Sequence, residues 1–399
     1  MVTDVIARVP GTDRVRLRFI AEDVPATGYK VFNIAGLRRP RKAKQALVAR
    51  PDLLENESLR LKVDPKTGCI TSLYDKSYQR EAIAPGGCGN LLQTFVDKPK
   101  DWDAWNIDAS FEDQKWDLTK PELVELIEKG PSRAVIRVVK KFQNSTFTQD
   151  ITLYPRILRV DVRMEADWHE KHILLKVAFP VNAKNDFATF EIPYGSIQRP
   201  TTRNTPSEKA KFEVPALRWA DLSDASGGLS LLNASKYGYD AQGNVLRLSL
   251  LRSPEWPDPH ADEGRHEFTY SLYPHGVDWK RAGIMRRGYE LNYKLIPVFV
   301  GVPHRGLLPP EHSFVRVEPD NVVLTAVKKA EDDDALVFRF FEWAGRPTQV
   351  HLYLPAGATH AWETNLMEKP DHDLTIADGV VTVATKPYEI KTVKVKFGK

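Results

Sequence analysis

Ala134-Val135-Ile136-Arg137-Val138-Val139-Lys140-Lys141-Phe142, followed by Phe147 to Tyr154 and Leu158 to Trp168, repeats an apolar residue at every second position through three consecutive runs. Successive side chains leave a strand on opposite faces, so this period marks strands with one face on a core. Asn144-Ser145 and Pro155-Arg156 carry turn chemistry between the runs, and the whole stretch reads as an antiparallel meander. On its N-terminal side, Leu59-Arg60-Leu61-Lys62-Val63 alternates in the same way, Asp64-Pro65-Lys66-Thr67-Gly68 turns the chain, and Cys69 to Tyr74 returns as the second arm of a hairpin. Pro121 to Lys129 has the first-turn proline, early carboxylates and terminal Gly130 of a helix. Leu123, Val124, Leu126 and Ile127 equally suit an edge strand running into Gly130-Pro131, and the β surroundings favour the strand.

Farther along, Gly301-Val302-Pro303 and Pro309-Pro310 bracket a polar stretch of the kind that joins domains. Phe314 to Val317, Val322 to Val327, Ala335 to Glu342, Thr348 to Leu354, Val380 to Val383 and Ile390 to Phe397 then follow at spacings that suit a small β-sandwich. The charge run Lys328 to Asp334 reads as an exposed hairpin tip. No repeat of fixed period occurs, which argues against a propeller or solenoid. The expectation is an all-β chain: an N-terminal segment and basic linker over 1–50, a large antiparallel domain over 51–305, and a small C-terminal β-sandwich over 306–399.

Composition agrees with a folded, multi-domain protein. The 399 residues are 42% hydrophobic and 28% charged, with a mean hydropathy of -0.40, which excludes intrinsic disorder. The longest stretch free of Lys, Arg, Asp and Glu, Pro347 to Trp362, is shorter than the ~20 residues of a membrane helix and carries His351, Pro355, Gly357 and His360. No membrane partner is expected. Met1 to Arg18 has scattered charges and no apolar core of a secretory signal. Cys69 and Cys88 are too few for a disulfide framework and belong to no Cys-x-x-Cys pair, so a reducing cytoplasm is the expected setting. The sequons at Asn56, Asn144 and Asn233 are then idle. Lys and Arg exceed Asp and Glu by 57 to 53. The one basic cluster, Arg38, Arg39, Arg41, Lys42, Lys44 and Arg50, contains Pro40 and no aromatic residue, so it reads as a solvated linker and no nucleic acid is expected.

No dinucleotide, P-loop, nucleophile-elbow or zincin motif is present. His169 and His172 lie three apart, a spacing that on a strand sends the rings to opposite faces and argues against a shared metal. Two segments concentrate polar and aromatic groups. Arg252 to His266 is a long loop with three prolines, bearing Glu255, Asp258, Asp262 and Glu263 as carboxylates, Arg252 and Arg265 as donors, His266, and Trp256 as a stacking face. Loops of that length are often functional, and hydroxyl-directed polar groups beside an aromatic plane suit a sugar; a rigid loop with internally paired charges is the alternative. In Asp101-Trp102-Asp103-Ala104-Trp105-Asn106-Ile107-Asp108, two tryptophans interleave with three aspartates. These tryptophans either plug the gap between sheets or present a ligand-binding face.

Asp101 to Asp108, Asp167 to Val177, Ile192-Pro193-Tyr194-Gly195 with Arg199 to Thr205, Trp219 to Ser223, Leu231-Leu232-Asn233 with Lys236 to Tyr239, Arg252 to His266, and Ala361 to Asn365 together resemble the C-terminal half of glycoside hydrolase family 38 α-mannosidases, in the bacterial and cytosolic subgroup. The resemblance covers about residues 15–397, with Ala234 standing where it implies an acidic residue. It implies a galactose-mutarotase-like β-supersandwich followed by a small terminal β-sandwich. It also implies that the zinc ligands, the Asp nucleophile and a second acidic residue belong to an N-terminal barrel, so neither catalytic nor metal residues are expected in this chain and zinc only in the missing domain. Retaining glycosidases need two carboxylates ~5 Å apart across the scissile bond. The substrate-contacting set expected from the two loops is Arg252, Asp258, Asp262, Arg265, His266, Trp102, Asp103, Trp105 and Asp108, with Arg252 foremost. Expected partners are an α-mannoside and either a separate N-terminal catalytic chain or further copies of this one. A stand-alone carbohydrate-binding protein is the alternative function.

Overall fold

The computed structural model describes residues 2–8, 14–34, 46–300 and 306–398. Arg38, Arg39, Arg41, Lys42 and Lys44 of the basic cluster, and 303–305 of the anticipated boundary, lie outside them; Arg50 pairs with Asp52 at 3.8 Å. The chain forms two compact units, one from 41–192 and 197–294, the other from 1–40, 193–196 and 295–399.

The meander forms as its period requires. Strands Ala134–Phe142, Ser145–Leu153 and Val160–Trp168 run antiparallel, and Phe142 faces Ser145 in register. That leaves Gln143 and Asn144 in the turn, with Gln143 at φ 47°, the left-handed geometry a tight hairpin demands. Leu123–Lys129 is a strand on the edge of the same sheet, bulged between Leu126 and Glu128. Five further strands complete nine, in the order 123–129, 134–142, 145–153, 160–168, 264–275, 227–233, 219–224, 187–192, 195–200. Ile136, Val138, Phe147, Ile151, Val162, Met164, Tyr270, Leu231 and Phe190 point inward and are buried together.

A six-stranded sheet lies over this face, with Leu91–Val96, Ile173–Pro180 and Val245–Leu251 adjacent. It supplies Leu92, Val177, Phe179, Leu246 and Leu248 to the shared core. Its outer face is covered as well: Phe95 and Leu174 pack under Phe111 of the short 3-10 helix Ala109–Asp113. Burial on both sides explains why Ile173–Pro180 reads as a nearly unbroken apolar run with no alternation. The Leu59–Val63 and Ile70–Asp75 hairpin belongs to a third, five-stranded sheet whose Leu59, Leu61, Ile70 and Leu73 join the same core. Cys69 and Cys88 are joined by a disulfide with Cα atoms 5.0 Å apart. Two cysteines do not make a framework, but they make this single bridge, which the expected reducing setting did not suggest: the turn of the hairpin and the loop before Leu91 close on each other once Ile70 bonds Gly89.

A helix that periodicity did not reveal, Ile284–Asn292, packs beside Trp219, where Gly288 allows close approach: a Cβ there would sit 3.0 Å from the indole. In the other unit, a four-stranded and a five-stranded sheet enclose Val322, Phe338, Phe340, Val350, Leu352, Val381, Val383, Val393 and Val395. Lys329 and Asp334 pair at the exposed tip of the 322–342 hairpin, as the charge run implied. Gly28–Lys30 pairs with Glu311–Ser313 in this unit. Among the described residues no helix is long and apolar enough to cross a membrane.

Candidate functional site

Strand order brings three distant loops to one end of the six-stranded sheet. Val96 pairs with Ile173, and Leu175 with Leu251, so Asp97, His172 and Arg252 leave three adjacent strands side by side. The backbone ties them: Asp97 N–H donates to His172 O, and His172 N–H to Ser253 O, both at 2.8 Å.

The Arg252 guanidinium closes this junction. Its Nε donates to Asp97 Oδ2 at 2.5 Å, and its two Nη groups donate to the carbonyls of Ala104 (3.2 Å), Asp103 (3.1 Å) and Asn106 (2.6 Å). Each of its three nitrogens is therefore engaged by the chain itself, through four of its five N–H groups. Burial raises the Asp97 carboxyl above its ordinary value, opposed by the hydrogen bond and charge of Arg252. Asp103 answers from the other side: its Oδ2 accepts from the N–H groups of Glu255 (2.8 Å) and Trp256 (3.0 Å). The His172 ring stands between two carboxylates, Nε2 at 2.7 Å from Glu255 and Nδ1 at 3.5 Å from Asp103.

These bonds hold three indoles toward solvent. Trp105 and Trp256 meet edge to face, ring centres 5.3 Å apart, and Trp102, Trp105 and Trp256 are 70%, 65% and 58% exposed. The gap-plugging reading of Trp102 and Trp105 is thereby overturned. Trp102 sits at φ 64°, with its carbonyl accepting from Trp105 and Asn106 N–H, and His172 sits at φ 51°. Left-handed backbone at bulky residues costs about 1 kcal/mol or more each and persists where surroundings enforce it, commonly at functional sites.

Beneath the aromatic loop the support is ionic. Phe111 is buried, and Glu112 beside it pairs with both Arg203 and Arg247. Burial would raise Glu112, but the two guanidinium groups prevail and hold its carboxyl below the usual range. Arg247 also grips Asp240 at 2.8 Å, Asp240 meets the fully buried Lys176 at 2.5 Å, and Lys176 reaches Glu213. Three cations balance three carboxylates, so this network needs no ligand and serves to anchor the helix from which the loop hangs.

The remaining candidates are placed differently. Asp108 is internal to its loop, accepting from Lys100 N–H (2.8 Å) and Asn106 Nδ2 (2.9 Å). Asp258 accepts from His260 N–H at 2.9 Å, His266 Nε2 lies 2.7 Å from Asp262 O, and Arg265 pairs with Glu165 at 3.1 Å. These four shape the far part of the long loop and the outer face of the nine-stranded sheet. The expected set thus divides: Trp102, Asp103, Trp105 and Arg252 converge, with Arg252 a positioning residue, whereas Asp258, Asp262, Arg265 and His266 do not join them. Asp97 and His172 were missed because their proximity exists only through strand pairing; Glu255 and Trp256 lay in the chosen loop unselected. A nearby cleft of about 190 Å³, between Val96–Pro99 and Asp108–Gln114, is smaller than the roughly 300 Å³ at which ligand pockets begin. The arrangement is a rigid aromatic and carboxylate wall, open on one side, equipped for recognition.

Residues 54–260 match the glycosyl hydrolases family 38 C-terminal domain, and residues 321–393 the glycosyl hydrolases family 38 C-terminal beta sandwich domain. The chain belongs to glycosyl hydrolase family 38 and corresponds to its C-terminal region. Among its relatives, Alpha-mannosidase 2C1 of Mus musculus is 37% identical over 347 residues, covering 85% of this chain and 33% of the relative. Alpha-mannosidase G of Dictyostelium discoideum is 34% identical over 357 residues, with 85% and 32% covered. The chain therefore spans about a third of the length of these curated relatives. An alpha-mannosidase from Enterococcus faecalis V583 shares the fold with a TM-score of 0.75 at 16% identity, over 99% of this chain and 49% of that one.

Proposed function

We propose that this chain is the non-catalytic C-terminal portion of a zinc-dependent retaining α-mannosidase, acting in mannoside breakdown. Its Trp102–Asp108 and Arg252–Trp256 loops wall one side of the mannoside pocket. The observation that carries this reading is the exposed Trp105–Trp256 pair, held rigid by Arg252, in a chain of this family. Indoles stack on the apolar faces of pyranose rings, while the half-exposed Glu255 beside them can accept hydrogen bonds from sugar hydroxyls. Asp103 is committed to two backbone donors and His172 to two carboxylates, which suits them to orienting a ring and leaves bond cleavage to groups supplied from elsewhere.

No step is assigned to zinc on this chain. Among the described residues no group of three or more His, Cys, Asp or Glu side chains converges as a metal would require. The ion and the two reacting carboxylates would come from a preceding catalytic half, on the same or a separate polypeptide, or the chain would pair with further copies of itself.

The test is hydrolysis of an aryl α-mannoside by this chain assembled with a family-38 N-terminal half, comparing wild type with Trp105→Ala and Trp256→Ala. Each substitution should raise KM or lower kcat/KM by about tenfold or more, as expected for a lost stacking contact. Unchanged kinetics would refute the wall. The bare exposure of three indoles also supports a stand-alone carbohydrate-binding protein; saturable mannan binding by the isolated chain, abolished in Trp256→Ala, would favour that reading. A cytoplasmic setting belongs to the proposal; the Cys69–Cys88 bridge is uncommon there, so the setting requires that the pair be recovered reduced from thiol-blocked cell extracts.

A further inference from the structure

The chain that leaves the aromatic wall at His172 as the strand Ile173–Pro180 reaches, beyond its far end, a second cavity that shares no residue with the wall. This cavity, of about 270 Å³, lies at the edge of the nine-stranded sheet, between Phe187–Ile192, Gly195–Pro200, Trp219–Asp224 and the turn that precedes helix Ile284–Asn292. Asp221 at its base is spent on the fold. Its Oδ1 accepts from Ser223 Oγ at 2.5 Å, its Oδ2 accepts from Ser230 Oγ at 2.6 Å, and His275 Nε2 stands 2.7 Å from the same Oδ2. Thr189 beside it is not. It faces Asp221 directly across the strand pair, so the two side chains leave the same face of the sheet. Thr189 is 5% exposed, lines the cavity, and bonds through its hydroxyl to no described residue. A hydroxyl this deep costs stability unless something in the cavity meets it.

The rest of the lining narrows what that can be. Asp224 Oδ1 accepts from Ser226 N–H and Oγ–H, but Oδ2 accepts only from Lys184 N–H, at 3.0 Å. Asp278 uses Oδ1 alone, for the N–H groups of Lys280 and Arg281 at 3.0 and 3.2 Å. Both carboxylates thus keep acceptor capacity, and the amide of Gln198 has no partner among the described residues. Phe187, 48% exposed, offers a ring face, and Trp279 is held in place by Trp219 at 5.1 Å between ring centres. Among the described residues no lysine, arginine or histidine lines the cavity, which disfavours phosphate or any other anion. The carboxylates form no group able to hold a metal. His275 against Asp221 and Arg80 at 3.8 Å from Asp224 already offset two of the three negative charges, which weighs against an organic cation. A neutral, hydroxyl-rich ring fits: its hydroxyls donate to Asp224 and Asp278, exchange hydrogen bonds with Thr189 and Gln198, and its apolar face lies on Phe187. The volume, just under the roughly 300 Å³ at which drug-sized pockets begin, holds one such ring. We propose that this cavity is a second saccharide-binding site that takes a single neutral pyranose unit, independent of the aromatic wall.

The experiment titrates the full chain carrying Trp105→Ala/Trp256→Ala, which removes the stacking pair of the wall, with methyl α-mannopyranoside and follows binding by saturation-transfer NMR. The expected result is saturable binding that survives loss of the wall. Phe187→Ala in that background should weaken it about tenfold or more, and Thr189→Val, which removes only the hydroxyl, about fivefold. Gln198→Ala, at an exposed position where folding is not at stake, should also weaken it about fivefold at an unchanged unfolding temperature. Binding indifferent to all three substitutions would overturn the proposal, as would a cavity that takes putrescine or inorganic phosphate in preference to the sugar. Binding present in the wild-type chain but lost with the wall pair alone would credit the sugar to the wall, overturning this site and leaving the functional reading above intact.

Discussion

Lys140→Met should stabilise the large unit, by an amount that shrinks as pH rises. Lys140 points inward between Val138 and Phe142 on its strand, is fully buried, and its Nζ has no hydrogen-bond partner. The turn at Gly68 presses close: a Cβ there would stand 3.2 Å from Lys140 Cε. Burial alone pulls the ammonium down from 10.5 to about 8. The folded pKa is thus below the unfolded one, and between them the unfolded chain holds more protons. Folding stability therefore rises with pH across that window, and the full penalty is present below the folded value. At about 1.4 kcal/mol per tenfold change in proton affinity, the penalty near pH 7 is about 3 kcal/mol. Methionine keeps the length of the side chain and removes the charge. Urea unfolding, followed by the fluorescence of the buried Trp168, should give a gap between variant and wild type of about 3 kcal/mol at pH 7, narrowing by about 2 kcal/mol by pH 10. A gap that does not change with pH, or a variant no more stable than wild type at pH 7, would refute the claim that an unpaired buried ammonium costs the fold stability.

Arg252→Ala strands the buried Asp97 carboxylate and three loop carbonyls, so it should cost roughly 3 kcal/mol and disorder the Trp105–Trp256 contact in near-UV dichroism; Arg252→Lys, lacking the planar fork, should not rescue it. Reducing the Cys69–Cys88 bridge, which spans 19 residues, should lower stability by about 3 kcal/mol in urea, an effect absent from a Cys69→Ser/Cys88→Ser variant. His275 is buried, which would lower its pKa, but Asp221 at 2.7 Å and the Val277 carbonyl raise it above the ordinary value. Its contribution is present in full below the unfolded histidine value of about 6.5 and fades as pH climbs through the folded one, so the stability difference between wild type and Asp221→Asn in urea should be largest at low pH and shrink as pH rises above neutrality.

Much of the fold is legible without coordinates because one-sided burial leaves a period in the chain. Ala134–Phe142, Ser145–Leu153 and Val160–Trp168 each have one face on the core, and their pattern says so. Ile173–Pro180 conceals its own role, since both of its faces are covered and no alternation survives. The site is legible only as two suspicious loops. Whether Trp102 and Trp105 point into a core or into water depends on whether Phe111 already fills the space beneath, and it does. Arg252 looks like a sugar ligand until its donors are counted against Asp97 and three carbonyls.

Local sequence determined the strands, their turns and the residues available for recognition, since each follows from side chains within a few positions of one another. Which of those residues meet was decided by strand order. Asp97 and Arg252 are 155 residues apart, and no local pattern encodes their contact. It exists because Leu91–Val96, Ile173–Pro180 and Val245–Leu251 pair in register, and pairing is settled by the burial of whole sheets against each other, a property of the assembled core and of no single segment.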